Sequence, residues 1–161
     1  MKKLFVLLAI SIASISIASA QNYDNGVGLR LGWGGALDYK WNFSEKNSWE
    51  FNLAFPAFNG INASAAYQWN WPLTSWGATG ANGQGFNVYV GPAAGVGYLG
   101  AVGFRGVMLG VGGHGGLEYK FGFPLAIGVD LKPMVTFITG DFTGVWANGF
   151  WDFGLVARYT F

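Results

Sequence analysis

From position 36 the chain alternates with period two. Leu37, Tyr39, Trp41 and Phe43 fall on one face of an extended segment, and Asp38, Lys40 and Asn42 on the other. Trp49, Phe51, Leu53 and Phe55 alternate with Glu50, Asn52 and Ala54, and Ile61, Ala63, Ala65, Tyr67, Trp69 and Trp71 with Asn62, Ser64, Ala66, Gln68 and Asn70. Near the C-terminus Trp151, Phe153, Leu155, Ala157, Tyr159 and Phe161 alternate with Asp152, Gly154, Val156, Arg158 and Thr160. Side chains two positions apart share one face of a strand, whereas a helical face needs steps of three and four, and no comparable helical pattern is present. The pattern predicts an all-β chain of eight strands near 26–33, 36–43, 49–56, 61–71, 86–97, 107–120, 125–133 and 150–161. The intervening segments 34–35, 44–48, 57–60, 72–85, 98–106, 121–124 and 134–149 are mostly rich in Gly, Asn, Ser or Pro, as turns require.

The charges fix which face is which. Arg30, Asp38, Lys40, Glu50, Glu118, Lys120, Asp130, Lys132, Asp152 and Arg158 all take the same face in this register, five of each sign. The opposite face carries no charged strand residue and reads as an aliphatic band of Leu29, Leu53, Ala63, Val90, Val111, Val129 and Leu155. Aromatic residues border that band: Trp41, Phe43, Trp49, Trp69, Trp71, Phe86, Tyr119, Phe121, Tyr159 and Phe161 at one end, Trp33, Phe55, Tyr98, Phe150 and Trp151 at the other. Two aromatic girdles around an aliphatic band suit a barrel that crosses a bilayer with its apolar face outward. A one-residue slip would turn every charge toward lipid, at roughly 2–4 kcal/mol for each basic residue near the midplane. A lipocalin-like soluble barrel has the reverse arrangement and needs a charged exterior, for which no residues are left. The fold expected is therefore an eight-stranded antiparallel up-and-down transmembrane β-barrel, the smallest strand count that closes such a barrel without an edge facing lipid.

Composition agrees. Hydrophobic residues make up 52% and aromatics 18%, while charged residues are only 11%, about half the share usual in water-soluble domains. Yet Gly, Asn or a charge interrupts every apolar run after position 20, so no segment there suits a membrane-spanning helix. Residues 1–20 read differently. Lys2 and Lys3 precede an apolar stretch over 4–18, and Ala18-Ser19-Ala20 supplies a small-residue cleavage pattern. That is the form of a secretory signal peptide, and the apolar run is short for a membrane anchor. The expected mature chain is 21–161, a single barrel domain delivered through the periplasm. Its seven basic and eight acidic residues nearly cancel, which removes the electrostatic basis for binding nucleic acid. Cysteine is absent, so neither disulfides nor thiolate metal sites are available.

The whole of 21–161 resembles the small eight-stranded outer-membrane barrels and is similar to the OmpX and OmpA membrane domains. The most specific element of the resemblance is the ending Tyr159-Thr160-Phe161. A terminal aromatic with another two residues earlier looks like the signal read by the outer-membrane assembly machinery. Gly26-Val27-Gly28-Leu29-Arg30, Leu117-Glu118-Tyr119-Lys120 and Asp130-Leu131-Lys132-Pro133 look like those of a recurring group of short barrels. The resemblance implies a Gram-negative outer-membrane location, with outer-membrane lipids, lipopolysaccharide and the secretion and assembly machineries as partners. One feature departs from it: strand parity puts the longest non-terminal connection, 72–85, on the periplasmic side, where the family has short turns.

The inward charges are the one dense polar constellation. They predict a salt-bridged lumen, because a barrel of eight strands is just wide enough for its own side chains. Inward Gly91, Ala93, Gly95, Gly97, Gly110, Gly112 and Gly116 leave one wall nearly bare, with room for the long Arg30 and Lys40 side chains or for water. His114 stands alone between glycines, without the second His or Cys a metal site would want. A hydrolytic triad needs a hydroxyl beside a carboxylate-oriented His, and no His-x-Ser element is present. Gly95-Val96-Gly97-Tyr98-Leu99-Gly100 fits a dinucleotide-binding pattern but lacks the helix and βαβ unit on which that pattern depends. In the outer segment 134–149, Phe137, Asp141, Phe142 and Trp146 offer surface for lipopolysaccharide or a protein. The expected function is a non-enzymatic barrel without metal or cofactor, structural or binding through its loops. A narrow channel is the alternative reading, and an outer-membrane lipid-modifying hydrolase a more distant one.

Overall fold

A computed structural model of the chain describes residues 23–44, 46–56, 60–73, 84–101, 104–141, 143–147 and 152–161; the expected signal peptide, and Phe142, Phe150 and Trp151, lie outside them. Ten strand segments follow one another: β1 (Asn25–Leu31), β2 (Gly34–Ser44), β3 (Asn47–Pro56), β4 (Gly60–Pro72), β5 (Gly85–Ala101), β6 (Phe104–Lys120), β7 (Leu125–Leu131), β8 (Met134–Gly140), β9 (Gly144–Ala147) and β10 (Phe153–Thr160).

Each strand from β1 to β6 pairs antiparallel with the next. One length of β6 then pairs with β7 and another with β8, so β7 and β8 lie end to end along it. On their far side β8 pairs with β9 and β7 with β10. Pairing of β10 with β1 closes the ring. The result is a closed antiparallel barrel of eight staves, the seventh and eighth each made of two segments. Pro133 marks the break in the seventh: proline has no N–H to give the ladder, and only its carbonyl is used, by Gly113 N–H at 3.0 Å. At the seam the first and last strands are tied by Asn25 N–H to Phe161 O (2.9 Å) and the reciprocal bond at 2.8 Å.

Four sequence expectations need correction. The first turn is Gly32-Trp33 rather than Gly34-Gly35, which belong to β2. A Cβ on Gly32 would come within 2.8 Å of Arg30 Nη1, 2.9 Å of Asp152 Oδ1 and 3.0 Å of Phe153 O, so the turn lies close against the ion pair, whereas Gly35 has open space. Residues 98–106 are mostly strand, since the β5–β6 ladder runs on to Ala101 opposite Phe104. Residues 134–149 are not one loop but largely the β8–β9 pair, in which Val135 and Phe137 point out and Met134 and Ile138 are buried. Extending β6 to Phe104 also makes Arg105 a strand residue, exposed on the outer face at the strand's end, so the exterior is not wholly uncharged.

The connection 72–85 leaves and re-enters at the end that holds both termini, where Leu73 N–H bonds Phe86 O at 2.8 Å. Aromatic side chains crowd the outside of that end. Trp41, Phe43, Tyr67, Trp69 and Trp49 form a chain of ring contacts 5.3–6.2 Å apart, and Phe86, Tyr119, Phe121 and Phe123 a second at 4.7–5.1 Å.

Polarity is inverted relative to a water-soluble protein. Leu29, Leu109 and Leu155 are 57%, 56% and 60% exposed, while Lys40, Gln68 and Arg158 are wholly buried.

Candidate functional site

Alternation along each strand delivers the polar residues to the barrel interior, and the closed ring brings residues far apart in sequence within bonding distance. The centre is Arg158 on β10. Its guanidinium bonds Asp38 on β2, Glu118 on β6 and, at 2.6 Å, Glu50 on β3. A planar fork of five N–H donors lets one guanidinium serve three carboxylates in fixed directions at once. Lys40 adds a second cation, 3.5 Å from Glu118 and 4.4 Å above the ring of Tyr89. From just before β1, Tyr23 donates its hydroxyl to Glu118 at 2.5 Å.

A second cluster lies further from the termini. Arg30 binds Asp130 through Nε at 2.9 Å and Nη2 at 2.7 Å, and reaches Asp152 at 3.3 Å. Gly154 faces this pair so closely that a Cβ would lie 2.5 Å from Asp130 Oδ1 and 2.6 Å from Arg30 Cζ. Lys132, at the β7–β8 break, donates to Asn52 Oδ1 at 2.9 Å and to Ser64 Oγ at 3.4 Å.

His114 joins the two clusters. Its Nδ1 lies 3.1 Å from Gln68 Nε2 and 3.6 Å from Glu50, and its Nε2 lies 3.4 Å from Asp130. Gln68 in turn donates to Glu50 at 2.9 Å and accepts from Ser48, which accepts from Asn70, which accepts from Asn87. A continuous polar column therefore runs from Asn87 near one mouth to Asp152 near the other.

Of the ten interior charges expected from the sequence, eight are buried: Arg30, Asp38, Lys40, Glu50, Glu118, Asp130, Lys132 and Arg158. Asp152 is half-buried beside Arg30, and Lys120 sits half-buried at the terminal end, its ammonium on Phe121 O at 2.8 Å. Sequence reasoning did not single out Tyr89, Tyr23, Gln68 or Asn52. Tyr89 was within reach of it, since inward Gly91 implies that Tyr89 is inward as well; Gly116, across the strand pair, leaves space for its ring. The bare glycine wall does not receive Arg30 or Lys40. Arg30 lies over Gly154 and Gly32, and Lys40 over Tyr89.

Two cavities flank the network. One of about 210 Å³ at the terminal end touches Tyr23, Asn70, Asn87, Glu118 and Lys120. The other, about 80 Å³, lies beyond Arg30 against Gly95, Gly97 and Gly110.

The arrangement neutralises its charges in place. Glu50, His114 and Asp130 offer three ligand atoms within 4.8 Å of one another. Both carboxylates, however, already hold guanidinium groups, and the imidazole presents a different nitrogen to each, so a divalent ion would have to displace an arginine. Among the described residues neither imidazole nitrogen meets a hydroxyl, as a base activating a nucleophile would have to. Comparison of the chain with models of protein families, with curated proteins and with solved structures finds no match.

Proposed function

We propose that this chain is a non-enzymatic integral β-barrel of a Gram-negative outer membrane, structural or binding through its loops, with a lumen closed by its own ion pairs. The observation that carries the reading is the inverted polarity. Large apolar side chains stand outward around the ring while arginines, lysines and carboxylates are buried within it. Such an exterior suits hydrocarbon and is unsuited to water. The aromatic cluster at the terminal end has the composition of an interfacial girdle. Delivery to the assembly machinery rests on Tyr159, half-buried, and Phe161, 48% exposed beside it at a ring distance of 6.2 Å. Phe137, 52% exposed on β8, is an apolar contact for lipopolysaccharide or a protein partner.

The lumen reading rests on Arg158, Glu50, His114, Asp130 and Arg30 standing between the two cavities. The test is to refold residues 21–161 into lipid vesicles, follow the change in gel mobility between unboiled and boiled samples, and record conductance across a planar bilayer. A folded, heat-modifiable and electrically silent barrel is expected. Discrete openings would replace the closed lumen with a narrow channel. Failure to partition into lipid, with a soluble folded chain instead, would overturn the membrane reading itself.

A further inference from the structure

The smaller cavity holds an unusual cation. Arg30, Lys40 and Arg158 each have a carboxylate partner, but buried Lys132 has none within 4 Å among the described residues. Its ammonium donates to two neutral acceptors, Asn52 Oδ1 and Ser64 Oγ. A lysine carries three N–H donors, so one has no acceptor among the described residues. Lys132, Ser64 and Thr136 all line the cavity of about 80 Å³. So does Asn62, whose Oδ1 is buried without a hydrogen-bond partner. A half-turn of that amide would present its N–H₂ to the same space. Asp152 also lines the cavity, but its Oδ1 is held by Arg30 at 3.3 Å from both Nη atoms.

Gly95, Gly97 and Gly110 of the bare wall line this space together with the tips of two methionines. A Cβ on Gly110 would lie 2.9 Å from Met134 Cε, and one on Gly97 would lie 3.1 Å from Met108 Cε. Donors gathered in a small volume around a cation with no carboxylate within 4 Å suit an anion, because a charge-assisted bond is stronger than one to a neutral acceptor. A cavity of about 80 Å³ has room for several waters or for one small anion.

We propose that this cavity binds one small monovalent anion, from a halide to acetate in size, through the Lys132 ammonium with the Ser64 and Thr136 hydroxyls. The proposal rests on the geometry of the lumen and stands whether or not the barrel crosses a membrane.

The experiment is thermal unfolding of residues 21–161 refolded in nonionic detergent. Chloride is titrated against gluconate, a far bulkier anion, at constant ionic strength. A saturating rise of about 2–5 °C in midpoint is expected. Acetate should reproduce it and benzoate should not. Lys120→Met, at the opposite mouth, should keep the effect, and Lys132→Met should lose it. A flat response, meaning that only water fills the cavity, would overturn the proposal, as would a rise that survives Lys132→Met. Should Lys132→Met fail to fold, crystals of the unaltered chain soaked in bromide decide the matter. An anomalous peak beside Lys132 supports the site, and none there refutes it.

Discussion

Arg158 is the residue on which the interior depends most. It is fully buried and answers three carboxylates from three different strands. A buried ion cluster contributes little net stability compared with apolar packing, but deleting one member strands the others, at a cost of roughly 3–5 kcal/mol. Arg158→Met leaves Asp38 and Glu50 without their cation, so its free energy of unfolding, from urea titration, should fall by an amount in that range. Arg158→Lys keeps the charge and loses the fork, and should lie between the two. A midpoint unchanged in Arg158→Met would mean that the network does not hold the barrel together. Glycine tests the same packing from the other side. Gly154→Ala drives a methyl into the Arg30–Asp130 pair and should destabilise by about 1–3 kcal/mol. Gly35→Ala enters open space in β2 and should be neutral or stabilising by roughly 0.5–1 kcal/mol. Equal effects at the two positions would contradict the packing described.

At the scale of the element, the eighth stave is the uneven one. β10 lies between β7 and β1 and is paired along both edges. β9 has four residues and, among the described residues, is paired only with β8. Amide protection follows the free energy of local opening, which is low for a strand held on one side. Hydrogen exchange in detergent should therefore be faster at Val145 than at Val156, by a factor of ten or more. Matching protection would place β9 in a ladder the pairing does not include. The same region explains why 134–149 was not legible as strand. Pro133 interrupts the rhythm, and Ile138 is apolar yet points inward, so the polar-in, apolar-out signal lapses where the seventh stave resumes. The turn at Gly32-Trp33 was displaced for a related reason: two adjacent glycines look like a turn, while the glycine that matters is the one pressed against Arg30.

For the whole molecule, the membrane reading makes a depth-dependent prediction. Leu155 lies on the outer face away from the terminal end, opposite Val129 and Leu31, whereas Trp41 lies near the end of β2 among the ring contacts. Leu155→Arg should destabilise the barrel in vesicles by roughly 2–4 kcal/mol and Trp41→Arg by about 1 kcal/mol or less from charge placement. Both effects should largely disappear if the surface faces water. A Leu155→Arg chain that folds into vesicles as well as the unaltered one would count decisively against a bilayer around this surface.

The sequence by itself determined the all-β class and, in the strands it made legible, which residues share a face, because period two is local and a one-residue slip is costly everywhere at once. It was also enough to show that the interior charges balance, since that needs only counting. Only the tertiary structure decided who pairs with whom. The partners of Arg158 lie 40, 108 and 120 positions away, and closure of the ring, not any local preference, sets them side by side. Closure likewise decided that Lys132 stands apart from the ion pairs and beside a cavity, a matter of how eight staves share one axis.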